Sequence, residues 1–545
     1  MASAPGSSQA CSTLSSAQLR ALAFVATREE YGKLARVVDT LIGRTGRSLK
    51  LPRAPMIFGE NQSNEEGGHA ATVSRSSTRL FALIYSLAAL YEFLLSLIRR
   101  KKFSTVLRSL SSLSALRLAS AVSLYSTLYR LLLPSLSSFL PTLSPPASPS
   151  SSFPLSLTSL KRRTLNSNAV PPFLAGVAAS PALLLEGRGQ RRVTIALYAF
   201  TRAVHGLVGV AGTKGWISKA MREGRWWWGG HLIFAASNAI LLHSFVYTPT
   251  TFPPTYSSFI LRFSSAYLPS PSSSSSSRTT WPTPRALVDG IATSSRLHYP
   301  AFISPLLHPS SKKGFVVDVE GAGARALDAI RPVLDDRAHP GHSRLTCAFL
   351  HPEEVGCWEV FARFVKGEFK GASKFFGALA VLGTLTRWKK FLREPEEGIY
   401  RALLSTITSS AFLSLSLGTA WSTICFFQHY LPGHFIPTKR FYLQGFLAGL
   451  WVRLVGAQRS TDLGLYSARL AIQCAWDVLV QKGRVQNIRN GEVLYFGLSM
   501  GVLLALHEAN PEALQSKLVR SALRRVGGPS LAEVAAEKEK EERKK

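Results

Sequence analysis

Cys347, His351 and Cys357 lie close together in "TCAFLHPEEVGCWEVFARF" (346–364). Thiolate and imidazole are soft ligands of the kind that hold zinc. Three such groups invite a metal reading, but no fourth ligand is evident nearby, and the spacing matches no established zinc motif. The sequence therefore assigns no metal and no cofactor, and leaves these three as candidates. A second set is ionisable and sits within or beside apolar segments: Glu92, Arg117, Arg202, His205, Arg469, Asp477 and Glu492. Charges at membrane depth are costly and normally face a bundle interior or water. Arg202, His205, Arg469, Asp477 and Glu492 thus form a candidate polar pathway for a solute, the alternative being amphipathic, partly wet helices. Arg469 and Asp477 stand two turns apart on roughly one helix face, too far for a direct pair. Asn490-Gly491 reads as a loop and helix start, with Glu492 placed to complement the helix dipole. No nucleophile–base arrangement, Walker loop, dinucleotide fingerprint or HExxH is present, so no catalytic residue is assigned and a non-enzyme is expected.

These residues must be carried by helices. Hydrophobic residues make up 46% of the 545, yet the mean hydropathy is only +0.11, because uncharged apolar runs alternate with basic clusters and Ser/Pro-rich stretches. That segregation suits an integral membrane protein. The chain also repeats itself. "FLAG" occurs at 173–176 and 446–449, "LYAFTRAVHGLVGVAGTKG" (197–215) aligns without a gap on "LYSARLAIQCAWDVLVQKG" (465–483), and 229–249 aligns on 491–511. The expected fold is all-α: a multipass membrane helical bundle of two tandem repeats, each of about five helical segments, with disordered Ser/Pro-rich linkers. In copy one the segments fall near 80–98, 105–132, 171–186, 193–212 and 230–247. In copy two they fall near 372–386, 400–430, 441–457, 464–481 and 491–507. The chain divides accordingly into an amphipathic, basic, partly disordered region (1–79), repeat one (80–262), a mostly disordered linker (263–345), repeat two with the Cys/His-Pro/Cys entry segment (346–524), and a charged tail (525–545). An interfacial helix from Trp358 to Lys370 is expected to lead into the first span of copy two. Gly445 and Gly449, four apart, leave one helix face bare for close packing, and Gly176 holds the equivalent place in copy one.

The net charge of +32, from 64 basic and 32 acidic residues, decides the partner class. The basic residues cluster between apolar runs, as "RRKK" (99–102), "QRR" (190–192) and "RWKK" (387–390). Flanking clusters of this kind suit snorkelling and anionic headgroups, and no nucleic-acid-reading motif is present. The expected partners are membrane lipids and other membrane proteins, with no nucleic acid. Five cysteines give no disulfide framework. The N-terminus is not a secretory signal, and Arg20 to Arg47 reads as a basic amphipathic helix.

"TCAFLHP…GCWEVF", "WKKF", "GFLAGLW", "LYSARLAIQCAWDVL" and "RNGEVLYFGLSMGVLL" together resemble the transmembrane protein 135 family, also called peroxisomal membrane protein 52, over about 346–524. Copy one resembles the family more weakly, through "FLAG" and "FVYTPTTFPPTYSSFIL" (245–261), and has no clear Cys–His-Pro–Cys element. The resemblance implies a multipass protein of peroxisomal or mitochondrial membranes, similar to the Tim17-type membrane proteins, linked with organelle dynamics and lipid metabolism. Two functions are expected from different classes: a non-enzymatic organiser of membrane or partner proteins, or a solute or lipid transporter with two pseudo-symmetric halves.

Overall fold

The computed structural model describes residues 69–98, 112–142, 169–215, 229–264, 267–268, 282–300, 302–303, 327–514 and 516–530. The helix expected at Arg20 to Arg47 and most of the charged tail lie outside these residues. Among the described residues every regular element is helical. Among the described residues, five helices are long and apolar enough to cross a membrane: Thr72–Ser96, Gln190–Gly212, Gly230–Tyr247, Pro395–Tyr430 and Gly491–Ala509. Large apolar side chains point outward from them and from their neighbours, among them Leu87, Leu90, Leu94, Leu403, Leu404 and Ile407. A bilayer, unlike water, solvates such faces without penalty.

The chain forms two compact units, one made of residues up to Thr213 together with Asn490 onward, the other of Lys214–Arg489. In the first, α1 (His69–Ile98) lies along α2 (Leu113–Thr142), tied by Thr127 Oγ1 donating to Ser77 Oγ at 2.8 Å. Next comes α3 (Val170–Ala178), which opens on Pro171 and Pro172. Pro171 and Pro172 take the first turn, where no N–H is needed. At Pro181 the missing N–H ends the α-ladder, and the chain tightens into a 3₁₀ turn, Ser180–Leu185. Then follow α4 (Gln190–Thr213) and, from the far end of the sequence, α15 (Gly491–Ala509), which packs along both α3 and α4. Small residues make the crossing: a Cβ on Gly176 would lie 2.9 Å from Gly501 Cα, and one on Gly501 would lie 2.7 Å from Phe173 O. Finally α16 (Lys517–Gly527) buries Val519 and Leu523. Arg130 of α2 satisfies two of its last carbonyls, donating from Nε to Val526 O at 2.9 Å and from Nη2 to Arg525 O at 2.7 Å.

The second unit begins with α5 (Gly230–Tyr247) and α6 (Pro254–Arg262), then α7 (Pro284–Arg296), α8 (Arg331–Arg337) and α9 (Leu345–Leu350). It continues with α10 (Cys357–Thr386), α11 (Trp388–Arg393), α12 (Pro395–Tyr430), α13 (Arg440–Gly449) with its 3₁₀ extension Leu450–Val455, and α14 (Ala457–Gln481). The hairpin of α10 and α12 is one half, and α5 packed along α13 and α14 is the other. Here too glycines set the approach: a Cβ on Gly449 would come 2.6 Å from Ala235 Cα, and one on Gly445 would come 2.5 Å from Asn238 O. Gly456, at φ +88°, makes the turn into α14, a conformation few other residues adopt.

Two expectations change, and part of a third can be described. The compact units do not follow the sequence copies, because α5 falls in the second unit and α15 in the first. The interfacial helix expected at Trp358 to Lys370 and the apolar segment expected to follow it form one continuous helix, α10, since no proline separates them and a helix tolerates Gly367 and Gly371 at about 1 kcal/mol each. Within the expected linker 263–345, the described residues include the helices α7 and α8. Thr283 Oγ1 caps α7 by accepting from Ala286 N at 3.2 Å. One α7 face then buries Leu287, Val288 and Ile291, which join Ile330, Val333 and Leu334 in the core. The serine run obscured that apolar spacing.

Candidate metal centre

The short helix α9 carries Cys347, and His351 stands at its C-terminal end. Pro352 prevents the helix from continuing, and the loop returns to Gly356 and the start of α10, whose first residue is Cys357. From α12, 74 residues on from His351, Cys425 enters the same pocket, its Sγ 3.4 Å from His351 Nε2. Cys357 Sγ lies 3.5 Å from the same nitrogen. The ligand atoms of Cys347, His351, Cys357 and Cys425 all fall within 4.8 Å of one another. Cys425 is a fourth soft donor, which the 346–364 segment by itself lacks. It was hidden because it comes from another helix far along the chain.

The imidazole is oriented. His351 Nδ1 lies 2.7 Å from the backbone oxygen of Glu354. A carbonyl only accepts, so Nδ1 carries the proton and Nε2 faces the sulfurs. The loop is itself held: His342 Nε2 donates to His351 O at 3.2 Å, His339 N donates to Pro352 O at 2.8 Å, and Glu354 pairs with Arg363. Cys347, His351 and Cys425 are buried, and Cys357 is half-buried. Burial disfavours the His351 imidazolium, but its contacts with the Cys347 and Cys357 sulfurs outweigh that, and its pKa is pushed up to about 9. Contacts with Cys347, Cys425 and His351 hold the Cys357 thiol well below its ordinary range. Its place at a helix N-terminus acts in the same direction. Against Phe364 and Trp421, the Tyr267 hydroxyl is buried without a hydrogen-bond partner. It feels the charge of Cys425 and Cys357, and burial is the larger cause of its raised pKa.

The candidate pathway residues divide between the units. Glu492 meets Arg192, with Nη2 to Oε1 at 2.6 Å, and Arg192 Nη2 also donates to Asn490 Oδ1 at 2.7 Å. Arg192 is only 2% exposed, so "RNGEVL" serves as a receptor for a buried guanidinium more than as a helix cap. Asn490 is left-handed at φ 60° and makes no side-chain cap. Sequence reading passed over Arg192, although the "QRR" cluster contained it. On the same helix, Arg202 stacks over Tyr198 with its guanidinium carbon 5.5 Å from the ring centre. It lies ten residues, or about 15 Å, from Arg192. His205 is half-buried on that helix. In the other unit Arg469 covers the Tyr466 ring at 5.0 Å, and Asp477 follows two turns later, about 12 Å away along α14. Within neither unit do these residues converge.

Gly176, Gly445 and Gly449, expected as packing positions, each face another helix's backbone at the distances given above. Comparison with protein-family models, with curated proteins and with solved structures finds no match.

Proposed function

We propose that this chain is a multipass integral membrane protein of an organelle, peroxisome or mitochondrion, belonging to the transmembrane protein 135 family. In this reading it is non-enzymatic and organises membrane dynamics or lipid metabolism through lipids and other membrane proteins. The observation that carries it is the set of five helices long and apolar enough to cross a bilayer, with outward apolar faces. The two motif groups behind the resemblance also have jobs: the Cys/His-Pro/Cys segment builds the sulfur cluster, and "RNGEVL" binds Arg192.

The proposal includes a tandem duplication whose fifth helices are exchanged. In one unit an α-helix, a 3₁₀ turn and a long helix (α3, α4) grip α15, and in the other the same succession (α13, α14) grips α5. A FLAG glycine sits at each crossing. Aligned by sequence, the gripped helix in each case is the other copy's last. The second unit also holds an apolar cavity of about 280 Å3, lined by Phe234, Phe245, Tyr256, Phe412, Trp421 and Phe441. Its chemistry suits an acyl chain, in keeping with a lipid role. The transporter reading needs Arg202, His205, Arg469, Asp477 and Glu492 around one cavity, and none of them lines this one.

Alkaline carbonate extraction combined with imaging of a tagged protein tests the proposal. The protein should stay in the membrane pellet and coincide with peroxisomes or mitochondria. Release into the supernatant, or residence in any other compartment, overturns it.

A further inference from the structure

We propose that Cys347, His351, Cys357 and Cys425 bind one Zn(II) in a closed, tetrahedral Cys3His site that fastens the α9 segment to α12. The geometry fits the ion. With Zn–S near 2.3 Å and Zn–N near 2.0 Å, a tetrahedral site sets nitrogen and sulfur about 3.5 Å apart. His351 Nε2 lies 3.5 Å from Cys357 Sγ and 3.4 Å from Cys425 Sγ. The orienting partner of a metal-bound imidazole is already in place, because Nδ1–H donates to Glu354 O. Three sulfurs and one nitrogen in a tetrahedron select zinc over the harder ions, which want oxygen.

A metal also resolves an otherwise awkward feature. The helix α9 is six residues long, far below the length at which a helix holds itself together, yet all six are buried. A four-way tie to α10 and α12 supplies the missing fixation. Binding is a ligand exchange without redox change: the protons still held by the cysteine sulfurs and by His351 Nε2 go to solvent, three thiolates and the Nε2 lone pair take the ion, and zinc sheds its waters. All four positions are filled by protein, so the site is structural and not catalytic.

The test uses the full-length protein, purified in detergent under reducing conditions with no added metal. Elemental analysis should find about one zinc per chain, and exchange with Co(II) should give the visible bands and thiolate charge-transfer band of a tetrahedral sulfur site. Cys425→Ser should lower the bound zinc to well below one per chain, while Cys474→Ser, a buried cysteine outside the cluster, should leave it unchanged. His351→Cys keeps four soft ligands and should retain zinc where His351→Ala loses it, which separates ligation from a general folding defect. A zinc chelator should lower the melting temperature of the wild type and leave that of Cys425→Ser unmoved. Wild-type protein without zinc, iron in its place, a disulfide among Cys347, Cys357 and Cys425, or full zinc in Cys425→Ser would each overturn the proposal.

Discussion

At the scale of single residues, the buried cation Arg192 is the most exacting feature of the first unit. A guanidinium taken out of water must be matched by charge and hydrogen bonds, and here Glu492 and Asn490 do both. Removing one partner leaves the other stranded, which costs about 3–5 kcal/mol when the pair is buried. Glu492 keeps 24% of its side chain exposed, so the lower end applies. Glu492→Met and Arg192→Met should each lower the melting temperature in detergent, and the two together should cost clearly less than the two single changes summed. Strict additivity in that cycle would mean the contact is energetically idle. The charges of "QRR" and "RNGEVL" were legible in the sequence. Their pairing was not, because 298 residues separate Arg192 from Asn490.

At the scale of elements, glycine decides how closely helices approach. Lipid offers helices no hydrophobic reward for associating, so backbone contact through small residues has to supply the attraction. Gly449→Val would push a branched side chain into the α5 backbone at Ala235, and a loss of about 1–3 kcal/mol is expected from such overpacking. Gly383 has nothing within 4 Å of its would-be Cβ. Gly383→Ala should therefore be neutral or stabilising by about 0.5–1 kcal/mol through helix propensity. Thermal melts of the two variants in one detergent check both, and equal stabilities would remove the close-packing account. The four-residue spacing of Gly445 and Gly449 showed from sequence that a bare face existed. What lay against it, Ala235 and Asn238, it did not show.

At the scale of the whole molecule, the unit boundaries cut across the copies seen in sequence. Residues 80–262 contain α5, whose partners α13 and α14 lie elsewhere in the chain, and lack α15, which contributes Leu503 and Leu504 to the core of the first unit. A fragment ending at 262 should thus be rapidly proteolysed, whereas 214–489, one contact unit, should leave a protease-resistant product. The reverse result would restore the copies as folding units. The sequence by itself determined that the chain is helical, where apolar segments run and that motifs recur, because helix periodicity and hydropathy are local properties written in neighbouring residues. Only the tertiary structure decided that Cys425 joins the cluster of Cys347, His351 and Cys357, that Glu492 belongs to Arg192, and that α5 packs with α13 and α14 while α15 packs with α3 and α4. Those are long-range choices among similar apolar faces, settled by which surfaces fit and which buried charges are matched, and no window of sequence contains both partners.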